Sequence, residues 1–211
     1  MTDKGKIMKW LLGLCAGLLL AGSVLADEMA ADLLVRNVTT EVLDILRKDK
    51  EIQSGSTKKA MELVENKVLP HFNFQRMTAQ AVGKAWRQAS PAQQKSLIEE
   101  FKTLLVRTYS NALTAYKSQV VDFKPLKAAP SDTEVTVRTE IKQAGGKPIS
   151  LNYVLEKTGN HWMVIDMVIA DISQVTNYRD QFRQELANGG LDGLIHSLEA
   201  KNKSAEAPAK K

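Results

Sequence analysis

The chain has 211 residues, of which 44% are hydrophobic and 25% are charged, and its formal net charge at pH 7 is +5. This composition is ordinary for a globular protein and too polar for an integral membrane protein. The basic residues form no dense stripe interleaved with aromatic residues, which argues against a nucleic-acid-binding protein.

A secretory signal peptide is predicted at the N-terminus, where three lysines precede the apolar run Trp10–Ala26. Val24 and Ala26 are the small residues that a signal peptidase accepts, so we expect cleavage after residue 26. The mature chain then has 185 residues and a formal charge of +3. The alternative is an uncleaved anchor, but the run is short for a span of about 20 residues. Cys15 would be lost with the signal peptide, which leaves no disulfide and no thiolate metal ligand.

Residues 28–117 are predicted to be helical. Apolar residues recur at helical spacing from Met29 to about Lys50, and a second helix over 57–69 ends at Pro70. The strongest local signal is Ser90-Pro91-Ala92-Gln93, in which Ser90 caps a helix, Pro91 occupies its first position and Gln93 reaches back to the cap. A long amphipathic helix is therefore expected to begin there.

Residues 118–170 are predicted to form an antiparallel meander of about four strands, because the apolar period changes from helical to two and turn residues recur. The last strand, His161–Ile169, is apolar on both sides, so we expect it to be central and covered on both faces. Strict alternation along this strand would place four side chains on one face: Trp162, Val164, Asp166 and Val168.

Residues 171–200 are predicted to be helical again, with Asp171 or Ser173 as the cap and a break near Gly189-Gly190. Residues 201–211 show no periodicity and are predicted to be a disordered basic tail. The mature chain is therefore predicted to fold as one domain over residues 27–200.

No nucleotide-binding or catalytic motif is present in the sequence. His71, His161 and His196 lie far apart, without a cysteine or paired carboxylate at ligand spacing, so no metal site is expected. Asp166 is the one carboxylate worth weighing as a general base, because some cone-shaped isomerases hold such a base among apolar side chains. One acid without an obvious partner is a weak basis for catalysis, and we expect no enzyme activity and no cofactor.

Four segments resemble a known family: Leu69–Thr78, Val82–Gln94, Phe101–Tyr109 and Asn177–Phe182. Their ordered combination is similar to the MlaC-type toluene-tolerance family over nearly all of residues 30–198. Two positions depart from the family pattern, since Ala170-Asp171 stands where a glycine commonly precedes the helix and Asn73 stands where an aspartate is usual.

The resemblance implies an α+β fold whose antiparallel sheet forms a cone-like (NTF2-like) cavity, with helices packed over it and an N-terminal helical portion. It implies a periplasmic phospholipid carrier, not an enzyme. Such a carrier shuttles lipid between an outer-membrane lipoprotein complex and an inner-membrane ABC-type transporter with an MCE-domain subunit, and so maintains outer-membrane lipid asymmetry. Bound phospholipid would be its cargo, and we expect a monomer.

A carrier of this kind needs a deep apolar cavity with the headgroup left near water. We expect ten side chains to line it, although all ten could instead form solid core. Arg87, Arg107 and Arg179 would suit a phosphate at the mouth. An envelope adaptor that uses the same apolar stripes for protein contacts is the other interpretation. The ten expected lining residues are Leu105, Tyr109, Val137, Leu151, Tyr153, Trp162, Val164, Val175, Tyr178 and Phe182.

Overall fold

Helices precede and follow one antiparallel sheet in the computed structural model, which describes residues 30–143 and 145–204. The predicted α+β fold class is confirmed, and the predicted signal peptide lies outside the described residues. Short 3-10 turns at Leu69–His71 and Gly83–Gln88 flank the fourth helix. The elements are α1 (Ala31–Lys48), α2 (Lys50–Gln53), α3 (Thr57–Lys67), α4 (Phe74–Val82), α5 (Pro91–Thr114), β1 (Val120–Phe123), β2 (Glu134–Lys142), β3 (Ile149–Thr158), β4 (His161–Ile169), β5 (Ile172–Ser173) and α6 (Gln174–Ser204).

Side-chain caps explain where the helices begin. The predicted capping box of α5 is present, since the Gln93 backbone N–H donates to Ser90 Oγ at 3.2 Å and the Ser90 N–H donates to Gln93 Oε1 at 3.0 Å. Asn73 Oδ1 accepts a 3.0 Å hydrogen bond from the Arg76 N–H at the start of α4. Asn73 therefore supplies the cap of α4.

The sheet is a meander with strand order β1-β2-β3-β4-β5, and every pair is antiparallel. β5 has only two residues, and the β4–β5 turn is formed by Ala170 and Asp171, both at positive φ. At the other end of β4, the Asn73 N–H donates to the Val164 carbonyl at 2.9 Å. The segment before α4 therefore extends the sheet beside β4.

A β-bulge in β4 corrects the predicted orientation of its side chains. Val164 pairs with Leu155 while Asp166 pairs with the adjacent Val154, so one extra residue, Ile165, lies between them on β4. Adjacent β3 residues point to opposite faces. Asp166 and Val168 therefore lie on the face opposite to Trp162 and Val164, and the prediction that all four share a face is wrong.

The register makes one face of the sheet apolar and the other largely polar. The polar face carries an ion-pair network in which Asp122 contacts Lys142 at 2.9 Å and Lys124 at 3.0 Å. Hydrogen bonds from these two lysines lower the pKa of the Asp122 carboxyl. The apolar residues, together with Thr139, that cross-strand pairing places on the other side, named here the apolar face, are Val121, Phe123, Val135, Val137, Ile141, Ile149, Leu151, Tyr153, Leu155, Trp162, Val164, Met167 and Ile169.

α6 is bent at Gly190, whose φ of 62° and ψ of −159° interrupt the helix near the predicted break. The helix then continues to Ser204, four residues into the segment predicted to be a disordered tail. Asn202 within it is buried and donates to the Glu100 carbonyl at 2.9 Å and to Glu100 Oε2 at 2.7 Å. The end of α6 is thus fastened to α5, and residues 205–211 lie outside the described part of the chain.

Buried apolar residues fall into three clusters. The helical core joins α4, α5 and α6 around Phe101, whose ring lies 5.0 Å from Tyr178 and 5.3 Å from Phe182 in edge-to-face geometry. The sheet core joins α1 to the apolar face, and a third cluster joins α1, α2 and α3. Phe72 packs against both the helical core and the sheet core.

Candidate functional site

The apolar face is covered at one end only. Ala31 and Val35 of α1 pack on it, and there Val135, Leu155 and Val164 are 6% exposed or less. At the other end, named here the open end, five apolar side chains lie side by side, of which Ile149 is 38% exposed and the other four are partly exposed. The apolar residues of the open end are Val121, Ile141, Ile149, Leu151 and Ile169.

Phe123 and Tyr153 mark the boundary between the covered and the open parts of the apolar face. Arg36 of α1 lies over the Phe123 ring, with its guanidinium carbon 4.3 Å from the ring centroid, which is a cation–π contact. The Tyr153 side chain is hydrogen-bonded to Thr39 of α1. α1 therefore crosses the apolar face and is fastened to it by these two contacts.

Tyr153 is partly buried on the apolar face. Burial raises the pKa of its phenol to about 12, against a smaller opposing effect of the hydrogen bond to Thr39. The side chain nevertheless keeps part of its surface accessible.

Polar groups around this region are hydrogen-bonded. The Thr139 hydroxyl, in the middle of the apolar face, donates to the Leu151 carbonyl. The Tyr109 hydroxyl of α5 donates to Gln174 Oε1, and the Gln174 amide donates to the Ile172 carbonyl at 2.9 Å. Because hydrogen-bonded polar groups cost little to bury, these contacts leave the neighbouring surface effectively apolar.

Nine of the ten predicted lining residues belong to or pack against one of two clusters, and Leu151 belongs to neither. Leu105, Val175, Tyr178 and Phe182 lie in the helical core with Tyr109 packed against it. Val137 and Val164 lie in the sheet core with Tyr153 and Trp162 packed against it, and Leu151 is at the open end. Phe72 contacts both groups and was missed by the sequence analysis, although Phe72 and Phe74 between a proline and a helix are a visible aromatic signal.

The arginines expected near a headgroup have other contacts. Arg107 donates to the Asn202 carbonyl, and Arg179 Nε donates to the Gln80 carbonyl at 2.8 Å, while Arg87 is exposed. Two surface grooves, of about 560 and 510 Å³, lie beside α1 and between α3 and α5, and both are lined mainly by polar residues. Neither groove contains any of the ten predicted lining residues.

Asp166, the candidate general base, has a structural partner. Its Oδ1 accepts the Val175 backbone N–H at 3.0 Å, and its Oδ2 accepts the Ser173 hydroxyl at 2.5 Å. Ser173 Oγ in turn accepts the Thr176 N–H at 3.1 Å. Both side chains therefore satisfy backbone donors at the start of α6, which is the chemistry of a helix cap.

Within residues 30–143 and 145–204, no group of three or more histidine, cysteine, aspartate or glutamate side chains could hold a metal ion. No helix of the described ranges is long and apolar enough to span a bilayer.

Fold and site together define an α+β protein with an incompletely covered apolar sheet face beside a separate helical core. Residues 36–200 match the family model described as MlaC protein, so the chain belongs to the MlaC family. It is 29% identical over 160 residues to the toluene tolerance protein ttg2D of Pseudomonas putida. The aligned region covers 75% of this chain and 74% of that protein. The resemblance seen in the sequence is confirmed.

The fold is similar to a solved structure of a phospholipid-binding protein from Ralstonia solanacearum, which was determined in complex with a phospholipid. The two chains are 35% identical, with a TM-score of 0.79, and the match covers 84% of this chain and 99% of that one.

Proposed function

We propose that this protein is a periplasmic phospholipid carrier without catalytic activity. The observation that carries the proposal is an apolar sheet face covered at one end only, in a fold shared with a protein solved in complex with a phospholipid. Membership of the MlaC family and the likeness to a toluene tolerance protein support it. The predicted signal peptide supports the periplasmic location.

The energetic need for such a carrier follows from the lipid. Exposing an acyl chain of about 16 carbons to water costs roughly 0.8 kcal/mol per methylene, or on the order of 13 kcal/mol per chain. A protein that moves phospholipid must therefore replace the bilayer interior by apolar surface of its own. The open end supplies such surface already in place, without requiring buried residues to be unpacked.

We place the acyl chains against the open end and along the apolar face toward Tyr153, between the sheet core and the helical core. The sheet-borne members of the predicted lining, above all Leu151 and Tyr153, then contact lipid directly. The helix-borne members, Leu105, Tyr109, Val175, Tyr178 and Phe182, belong to the helical core, which we place on the opposite side of the chains. Phe72, which packs against both cores, closes the space at its inner end.

The finer role that we propose is shuttling between two membranes. Lipid would pass between an outer-membrane lipoprotein complex and an inner-membrane ABC-type transporter with an MCE-domain subunit. This transport would maintain outer-membrane lipid asymmetry. The energy for directed transport would come from the transporter, because the sequence carries no nucleotide-binding motif.

Mass spectrometry tests whether the protein carries lipid. The mature protein is expressed in the periplasm, purified without detergent, and measured first under native conditions and then after organic extraction. We expect a stoichiometric adduct of phospholipid mass. A folded, lipid-free protein that takes up no lipid from vesicles would exclude the carrier and favour an envelope adaptor.

Two substitutions test the position of the chains. Leu151→Thr introduces a β-branched residue, which β-strands favour, removes apolar surface at the open end, and should reduce the amount of bound lipid while the protein stays folded. Arg138→Thr introduces the same residue on the polar face of the sheet and should leave bound lipid unchanged. If the wild type and both variants bound the same amount of lipid, the acyl chains would not lie against Leu151.

A further inference from the structure

Exposed large apolar side chains are concentrated at one end of the sheet. In the described part of the chain four are at least 38% exposed, and three of them share this end: Val120 at 58%, Ile149 at 38% and Ile172 at 56%. Val120 begins β1, Ile149 begins β3 and Ile172 begins β5. We name these three residues the apolar rim. The fourth, Leu33, lies on α1.

The register shows that Ile149 and Ile172 of the apolar rim are continuous with the open end. Ile149 is paired with Ile141, which is paired with Val121, whereas Val120 is paired with Lys142 and lies at the same end of the sheet on the polar face. Ile172 is paired with Ile169, which is paired with Leu151. A path of adjoining apolar side chains therefore leads from solvent at the rim to Tyr153.

The charges beside the apolar rim favour an anionic partner. Lys117 precedes β1 and Lys147 lies in the β2–β3 turn, and both are exposed without a carboxylate at ion-pair distance in the described residues. Lys142, opposite Val120, is paired with Asp122. Beside Ile172, at the other side of the rim, lies the acidic residue Asp171, which accepts a hydrogen bond from the Ser150 hydroxyl.

We propose that the apolar rim docks directly on the surface of an anionic phospholipid bilayer, with Lys117 and Lys147 at the headgroups. This proposal rests on the carrier function proposed above and adds where lipid enters. Exposed apolar side chains beside lysines are the combination that binds anionic membrane interfaces. Because the rim adjoins the open end, an acyl chain can move from the bilayer onto the apolar face without being exposed to water.

The turn that positions Ile172 of the apolar rim has an unfavourable backbone conformation. Ala170 and Asp171, next to Ile172, have φ values of 48° and 65°, which are unfavourable for residues with a side chain. The turn that they form reverses the chain and positions Ile172 beside Ile169. Strained backbone of this kind is typically found at functional sites, where the surrounding structure maintains it.

The test measures uptake of fluorescent phospholipid from vesicles by the delipidated mature protein. The vesicles contain phosphatidylethanolamine with anionic phosphatidylglycerol, or with zwitterionic phosphatidylcholine, which has no net charge, as the comparison. The double substitution Val120→Thr and Ile172→Thr should slow uptake on the order of tenfold, since both side chains lose their apolar contact with the bilayer. Ile149 is left unchanged because it also belongs to the apolar face.

Three controls separate docking from lipid holding. Leu33→Gln alters the fourth exposed apolar side chain and should leave the uptake rate unchanged. Loading from detergent micelles bypasses the bilayer, so the double variant should then hold as much lipid as the wild type. Lys117→Gln with Lys147→Gln should slow uptake from phosphatidylglycerol vesicles and leave uptake from phosphatidylcholine vesicles unchanged.

The outcomes distinguish this inference from the carrier function. Uptake by the double variant at the wild-type rate would overturn docking by the rim and leave the carrier intact. Slowing by Leu33→Gln to the same degree would also overturn it, because the effect would not be specific to the rim. A wild-type protein that takes up lipid neither from vesicles nor from micelles would overturn the carrier function itself.

Discussion

Asp166 and Val175 are joined by a 3.0 Å hydrogen bond from the Val175 backbone N–H to Oδ1 of the carboxylate. The bond connects β4 to the first turn of α6 across the short strand β5. It gives the one carboxylate that could have served as a general base a structural task, because a negative group at a helix N-terminus satisfies backbone donors and interacts favourably with the helix dipole.

Asp166→Ala should therefore lower the free energy of unfolding by about 1–2 kcal/mol, as expected for loss of a helix cap. Asp166→Asn keeps an acceptor and should cost less. Urea denaturation followed by circular dichroism measures both. Asp180→Ala, which removes an exposed carboxylate paired with Arg183, is the matched control and should change stability little.

Ala170→Gly should stabilise the protein. Ala170 has a φ of 48°, and an alanine in this region costs roughly 1–2 kcal/mol that glycine does not incur. We expect a gain of about 1 kcal/mol in thermal or urea denaturation. Ala187→Gly, in the regular part of α6, should instead destabilise by about 1 kcal/mol. A loss of stability in both variants would contradict the turn geometry.

Truncation experiments should define the end of the folded chain. Removing residues from 201 onward deletes Asn202, which is 5% exposed and bonded twice to Glu100, and should destabilise the protein measurably. Ending the chain after Ser204 keeps these contacts and should preserve stability. Equal stability of the two truncated proteins would mean that Asn202 does not fasten α6 to α5.

Stability should decrease between about pH 10 and 12 because of two tyrosines. Burial, with smaller effects of Tyr178 and Asp166, raises the pKa of Tyr109 to about 12, and burial raises that of Tyr153 to about 12. Over this range the unfolded chain releases protons that the folded chain retains, so rising pH favours unfolding. The contribution of these two protonated phenols to the free energy of unfolding is fully present below pH 10 and is lost as the pH passes 12.

Absorbance at 295 nm follows tyrosinate formation directly. Tyr153→Phe and Tyr109→Phe should each remove one of the transitions near pH 12 and reduce the fall in stability over that range. If neither variant changed the high-pH end of the titration curve, the two phenols would not be buried as described.

The fold could be predicted from local signals because several of them agreed. Ser90 and Gln93 identified the start of α5, and the change of period after residue 118 identified the meander. The faces of β4 could not be assigned, because nearly every residue from Trp162 to Ile169 is apolar. Without alternation nothing in the sequence marks the bulge at Ile165, and a shift of one residue exchanges the two faces.

The site was harder to predict than the fold for a related reason. An apolar stripe on α5 or α6 shows that a helix face is buried, and it does not show against what. Tyr178 and Phe182 pack against Phe101 within the helices, whereas Tyr153 and Val164 pack under α1. Which apolar residues remain partly uncovered depends on the position of α1, and this position is a property of tertiary packing.

The strand order of the sheet also affects how the protein reaches its folded state. Each of the five strands pairs with the strand that precedes or follows it in the chain, so the sheet can assemble hairpin by hairpin with short loops to close. Local pairing of this kind favours rapid folding. A chain that must cover part of an apolar sheet face benefits, because that face is exposed to aggregation only briefly during folding.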